Sequence, residues 1–223
     1  MRLDLILKRT PFLWRYADRF SWRGSRTYWE ERYADGGNSG LGSYGHLATY
    51  KAEVLNEFVR LRRIESVIEF GCGDGNQLSL ADYPNYIGLD VSTTAIEKCK
   101  ARFQADSTKR FLLYGPRTFD RCADHLSGDL VISLDVIYHL VEDRIYHRYM
   151  RDLFGVSAKY IIIYSSNHEE VIRNAHVRHR CVTQYVEANC KEWRFTEKIQ
   201  NRYPIAQYGA AGSFADFYVF ERC

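Results

Sequence analysis

Apolar runs of strand length alternate with helix-spaced segments over most of the chain. "SVIEF" (66–70), "YIGLDVS" (86–92), "RFLLYG" (110–115), "DLVISLD" (129–135) and "KYIIIYSS" (159–166) are short and apolar, the first of them β-branched as well. They predict five strands buried on both faces, as in a parallel sheet. Between them, "TTAIEKCKARFQ" (93–104) reads as a helix capped by Ser92 or Thr93, and "EDRIYHRYMRDLFGV" (142–156) as a helix with Ile145, Tyr149, Leu153 and Phe154 on its apolar side. Before the first strand, "HLATYKAEVLNEFVRLRR" (46–63) spaces Leu47, Val54, Leu55, Phe58 and Leu61 as a helix does. Towards the end the rhythm changes. "EWRFTEKI" (192–199) and "SFADFYVFER" (213–222) alternate like strands without a helix-length apolar pattern between them, which predicts an antiparallel hairpin. The fold class expected is α/β: a doubly wound, mainly parallel seven-stranded sheet ending in a C-terminal antiparallel hairpin.

Two segments are expected to divide the chain: residues 1–63, a basic leader, a glycine-rich loop and a helix, and residues 64–223, one globular catalytic unit. The loop (Gly36, Gly37, Gly40, Gly42, Gly45) precedes the first strand. It reads as a lid with Tyr28, Trp29, Tyr33, Tyr44 and Lys51 as its contacts, or as a plain linker.

The most informative stretch is "VIEFGCGDGNQ" (67–77), with glycines at alternate positions behind a strand that ends in a carboxylate. No lysine follows them as a Walker loop requires, and Asn76 stands where a dinucleotide fingerprint has its third glycine. Asp90 closes the second strand, where an acid hydrogen-bonds a ribose. S-adenosylmethionine has no pyrophosphate and presents a cationic sulfonium and ammonium. A strand-end carboxylate and bare backbone suit it.

With "EFGCGDG" and "GLDVS" the sequence resembles the class I S-adenosylmethionine-dependent methyltransferases, over roughly residues 64 to 220. The resemblance implies a cofactor site of Glu69, Gly71, Cys72, Gly73, Asp74 and Gly75 around the methionine moiety, Asp90 at the ribose, Val91 and Ser92 beside the adenine, and Leu134 and Asp135 near the reacting methyl. Many members have an acid after the third strand for the adenine amine. Here Gly115 stands in its place, leaving the adenine to backbone or Tyr114.

Methyl transfer is an in-line displacement in which the protein positions the acceptor and manages a proton. In the loop after the fourth strand, "DVIYHLVED", His139 is the candidate general base, since imidazole titrates near neutrality, with packing as its alternative role. Tyr138 shapes the wall or lies in the core, and Asp135 completes the catalytic set. The second cluster, "HVRHR", offers His176, Arg178, His179 and Arg180, joined by Arg202, Tyr203, Tyr44 and Lys51 as substrate contacts. Arginine forks bind carboxylate or phosphate, so an anionic acceptor is expected unless the cluster is a solvated loop. "HVRHR", "SFADFYVF" and "YWEERY" look similar to bacterial methyltransferases of surface-glycan and secondary-metabolite assembly, which implies O-methylation of a small or glycan-type acceptor.

Charge and composition narrow the field. At 223 residues, 46% apolar and 26% charged, the chain is an ordinary globular one, and a net charge of +3 demands no nucleic acid. "LDVIY" lacks the prolines and asparagine of base amino-methyltransferases, and no cysteine has the proline neighbour of cytosine C5 chemistry. A nucleic-acid or protein methyltransferase, or a non-catalytic cofactor-binding subunit, remains the alternative. Six cysteines without a CxxC pair suit reduced thiols and a cytoplasmic location, and no metal is expected. Arg2, Lys8, Arg9, Arg15, Arg19, Arg23 and Arg26, interleaved with Phe12, Trp14, Phe20 and Trp22, make a leader able to touch an anionic membrane surface.

Overall fold

A computed structural model describes residues 23–170 and 176–223. The elements in chain order are α1 (Ser25–Ala34), α2 (Gly45–Arg62), β1 (Ser66–Phe70), β2 (Asn85–Asp90), α3 (Thr93–Arg102), β3 (Lys109–Leu113), α4 (Pro116–Cys122), β4 (Gly128–Leu134), α5 (Asp143–Gly155), β5 (Ser157–Ser165), α6 (Val182–Asn189), β6 (Trp193–Ile199), α7 (Ile205–Tyr208) and β7 (Asp216–Arg222). The seven strands form one sheet in the order β3-β2-β1-β4-β5-β7-β6. The first five are parallel, and β7 runs antiparallel to both β5 and β6.

Successive side chains of a strand face opposite sides, so a sheet covered on both faces needs apolar residues at every position. Val67, Leu130 and Ile132 pack with Leu55, Phe58 and Val59 of α2 and Ile96 and Cys99 of α3. Their neighbours Ile68, Phe70 and Val131 pack on the other face with Met150 and Leu153 of α5, Phe119 of α4 and Val182 of α6. α2 therefore belongs to the same core as β1, across the boundary expected at residue 63. Its Leu61 is an exception to the expected stripe and is 61% exposed. On α5 the buried apolar residues are Tyr146, Tyr149, Met150, Leu153 and Phe154, whereas Ile145 turns to the cleft described below.

The C-terminal strands pair as expected, but not as a tight hairpin. Residues 200–215, with α7 and a 3-10 turn, separate them and pack against the start of α2, where His46 Nε2 lies 2.8 Å from the Ala211 carbonyl oxygen. The run "FYVF" makes β7 an inner strand, while the charged β6 takes the exposed edge, where charge discourages pairing with another chain. A single 3-10 turn, Leu78–Leu80, follows the glycines. No described helix is long and apolar enough to cross a membrane. Apart from Arg23 and Arg26, the basic leader lies outside the described residues.

Candidate functional site

Between β1 and β4 the strand order reverses, and in open α/β sheets ligands collect beyond the carboxyl ends of the strands at that point. β1 ends there with Glu69 and Phe70, β2 with Asp90, β4 with Leu134. The chain then turns at Gly71 and Gly73, both at positive φ (87° and 57°), a region open to glycine. A Cβ on Gly71 would collide with Val136, and one on Gly73 with Ser39. The bare turn keeps the backbone against the cleft, and Gly71 and Cys72 both donate their N–H to the Leu89 carbonyl (2.7 and 3.0 Å). Gly75 instead packs against Cys99 and Phe103 behind the turn.

The two strand-end carboxylates are buried. Asp90 accepts the N–H of Gly73 at one oxygen and of Ser92 at the other, each at 2.9 Å, while Ser92 caps α3 by accepting from Ala95 N–H. Burial raises the Asp90 pKa to about 6 against those bonds. Glu69 accepts from the Tyr86 hydroxyl at 2.6 Å, and burial raises its pKa to about 7 despite that bond and the nearby Lys51.

The glycine-rich segment is stitched over this turn. Asp74 accepts from Ser39 N–H (3.0 Å) and the Tyr44 hydroxyl (2.7 Å) at one oxygen and from Asn76 N–H (3.1 Å) at the other. Burial opposes its ionisation, but the bonds from Tyr44, Asn76 and Ser39 outweigh it and hold the carboxyl below its usual range. Lys98 Nζ adds bonds to the carbonyls of Tyr33 and Gly37, each at 3.1 Å. Asp74 and Tyr44 thus fasten the lid rather than line the cleft. Replacing Asp74 by alanine is expected to weaken S-adenosylmethionine binding about tenfold and to speed proteolysis within residues 36–45; unchanged values of both would dissociate this latch from the site.

Arg26, Trp29 and Tyr33 of α1, with Ser39 and Ser43 of the lid, close the front of a cleft with about 940 Å³ of empty space, its open mouth included. Its back carries Glu69, Gly71, Cys72, Gly73, Asp90, Val91 and Leu134, and its side walls Gln77, Tyr114, Tyr149, Asp135 and His139. Among these, Ser39 and Ser43 carried no sequence signal, because they reach the cleft only through the folded lid, and Tyr149 read only as part of the apolar side of α5. α1 is set by Ser25, whose hydroxyl lies 2.8 Å from both the His139 carbonyl oxygen and Glu142 Oε2.

At the end of β4, Asp135 adopts a positive φ of 60°, uncommon for a non-glycine residue and frequent at functional sites. Its carboxylate accepts from Lys51 Nζ (2.6 Å) and from the buried Tyr138 hydroxyl (2.9 Å). Lys51 is fully buried and its charge is held by this pair. His139 Nδ1 lies 2.9 Å from the His176 carbonyl oxygen. A carbonyl only accepts, so the proton is on Nδ1 and the Nε2 lone pair is free. Burial lowers the His139 pKa to about 4, leaving the ring neutral at physiological pH.

The "HVRHR" cluster sits behind this loop, outside the cleft lining. Arg178 and Arg180 both donate to Asp143 Oδ1 (2.9 and 2.8 Å), Arg180 also to the Leu140 carbonyl (3.1 Å), and Arg178 N–H to the Tyr138 carbonyl (2.8 Å). They brace the loop that carries His139. His176 stacks on Tyr28 and His179 is buried beside Ser166. Arg202 pairs with Glu53 at 2.7 Å, and Tyr203 packs among His46, Tyr50 and Tyr208, so neither lines the cleft.

A family model described as a methyltransferase domain matches residues 68–159, the stretch from the glycine turn through β5's start. No curated protein matches the sequence. Among solved structures, the N-methyltransferase NodS from Bradyrhizobium japonicum WM9 in complex with S-adenosyl-L-homocysteine superposes with a TM-score of 0.64 at 13% identity, over 89% of this chain and 98% of that one. Magnesium protoporphyrin IX methyltransferase from Synechocystis PCC 6803 with bound SAH gives 0.63 at 12% identity, over 89% and 98%. The methyltransferase domain of bacterial CtHen1 gives 0.61 at 19% identity, over 78% and 97%. At these identities the superpositions speak for the fold, and the domain match speaks for the activity. Together, a methyltransferase domain match over residues 68–159 and the fold these enzymes share support an S-adenosylmethionine-dependent methyltransferase.

Proposed function

We propose that the protein methylates a hydroxyl of a small-molecule or glycan-type acceptor that carries a carboxylate or phosphate. The observation that carries this reading is His139: a neutral imidazole on the cleft wall with its Nδ1 proton committed to a carbonyl and its Nε2 open. Such a group can take the hydroxyl proton as the new bond forms.

The cleft fits the cofactor by its collision-limited glycine turn and its paired buried acids. Gly71, Cys72 and Gly73 would hold the methionine part with Glu69 near its cationic groups, Asp90 the ribose, and Val91 and Tyr114 the adenine. When bound, the cofactor supplies a methyl group on cationic sulfur. The chain's own part is to orient the acceptor, exclude water and receive a proton. Asp135, anchored by Lys51 and Tyr138, is an acceptor-facing hydrogen-bond acceptor of fixed direction. The lid and Trp29 shut out water.

Arg26 stands on the cleft wall beside the α1 aromatic residues. Its guanidinium is the group that would receive an anionic acceptor. Reduced thiols, all six free, suit a cytoplasmic reaction. Incubation with methyl-labelled S-adenosylmethionine and cell extract fractions is expected to put label into alkali-stable, anion-exchange-retained small molecules or glycan precursors. Label confined to protein or nucleic acid would overturn the acceptor class.

A further inference from the structure

A second group of donors lies beyond β5, on the far side of Tyr138 from Asp135. Glu170 and His179 face each other across an isolated antiparallel bridge, with Glu170 N–H donating to His179 O (3.3 Å) and His179 N–H to Glu170 O (2.9 Å). Residues opposed in this way project to one face. His168 joins them: its ring stacks on that of His179 with centroids 4.6 Å apart, and its Nε2 lies 3.3 Å from Glu170 Oε2. One nitrogen of each imidazole and one carboxylate oxygen all fall within 4.8 Å of one another.

The surroundings resemble a prepared metal site. His179 is buried, and its Nδ1 is 2.8 Å from the hydroxyl of the equally buried Ser166. Metal-binding imidazoles characteristically use their second nitrogen for such an outer bond, which fixes ring and tautomer. Phe214 packs edge-on against His179 at 4.7 Å and supplies an apolar side. The other two donors face solvent, with side chains 52% and 57% exposed, so an ion has a way in. Donors at about 2.1 Å from a common cation lie at most about 4.2 Å apart, and the exposed His168 and Glu170 can close that small difference by side-chain rotation.

We propose that His168, Glu170 and His179 bind one divalent transition cation of the zinc class. Two nitrogens and one oxygen suit zinc, cobalt or nickel, whereas magnesium prefers an all-oxygen shell. Three protein ligands leave a fourth position for water or an anionic oxygen. The cation clamps the segment after β5 to the stretch that carries Arg178 and Arg180, and so adjoins the acceptor side of the cleft. Its ligands come from two separate segments that the fold brings together, which is why no spacing motif announces them.

The test is calorimetric titration of the full-length chain, first stripped with chelator, with zinc sulfate and separately with magnesium chloride. One zinc ion per chain is expected to bind with micromolar or tighter affinity, with no heat from magnesium at the same concentrations. His168→Ala and Glu170→Gln, both at exposed positions, are expected to weaken zinc at least tenfold without changing the Tm of the metal-free chain, and His179→Ala to abolish it. No zinc binding, equal binding of magnesium, or wild-type affinity in both exposed-site variants would overturn the site. The last outcome would move zinc to another donor set, such as the exposed Cys223 thiol. Heat of binding is independent of methyl transfer, so this result stands or falls apart from the proposed acceptor.

Discussion

Replacing His139 by alanine is expected to lower turnover by about two to four orders of magnitude, the range of a lost general base, while the Kd of S-adenosylmethionine changes no more than a few fold. The separation follows from position. His139 is on the loop after β4, with Trp29 edge-on to its ring at 5.0 Å, whereas the turn and acids that suit the cofactor belong to β1 and β2. The pH profile adds a second signature. Burial lowers the His139 pKa to about 4, against a smaller opposing effect of its bond to the His176 carbonyl. A base with that pKa is already unprotonated at pH 6, so kcat at saturating cofactor should be flat from about pH 6 upward and fall only as the pH approaches 4. An ordinary, solvated histidine would bend the profile near pH 6.5. Unchanged kcat in the alanine variant would transfer the proton to another acceptor, and an inflection near 6.5 that the variant removes would contradict the buried state of the ring.

The sheet was legible because its physics is local. A strand covered on both faces must be apolar at each position, and 67–70, 86–90, 129–134 and 160–164 satisfy that nearly without interruption. Glu69 and Asp90 stood out for the opposite reason: a carboxylate inside such a run is costly unless something uses it. What could not be read were arrangements made by distant segments. α1 has aromatic residues turned to a cleft and no apolar stripe towards a core, so periodicity passed over it. Asp74 looked like part of the glycine motif, yet its partners, Ser39 and Tyr44, are supplied by the lid. Arg178 and Arg180 invited an anion, and the nearest one is Asp143 of the same chain, at the start of α5. Lys51 was expected as a lid or substrate contact; the fold instead buries it and pairs it with Asp135. Charged residues in a sequence announce that a partner exists without saying whether it is a ligand or another part of the protein.

Glu69→Gln should move stability and cofactor affinity in opposite directions. In the folded, cofactor-free protein burial raises the Glu69 pKa from an ordinary 4.5 to about 7, with the Tyr86 hydroxyl and Lys51 only partly offsetting it. A raised carboxyl pKa means that folding favours the protonated form. Below about pH 4.5 the group carries no penalty; the penalty grows between 4.5 and 7 and is constant above, on the order of 3 kcal/mol. Glutamine is neutral throughout and can still accept from Tyr86, so at pH 8 the variant's cofactor-free Tm should rise by several degrees, with no gain at pH 4.5. Binding runs the other way. A cationic ligand favours the ionised acid, so wild-type affinity for S-adenosylmethionine should climb as pH rises to about 7 and then level off, with Asp90, raised to about 6, steepening the lower part. In the variant the climb should be shallower and the affinity at pH 8 lower by about 10- to 100-fold, since a charge-assisted contact is lost. Thermal melts with and without cofactor at pH 6 and pH 8 read both effects in one experiment. A variant that melts no higher at pH 8 would show that the carboxylate is compensated in the free protein. One that binds the cofactor as tightly as wild type would remove Glu69 from the cationic end of the site and leave the glycine turn and Asp90 to hold it.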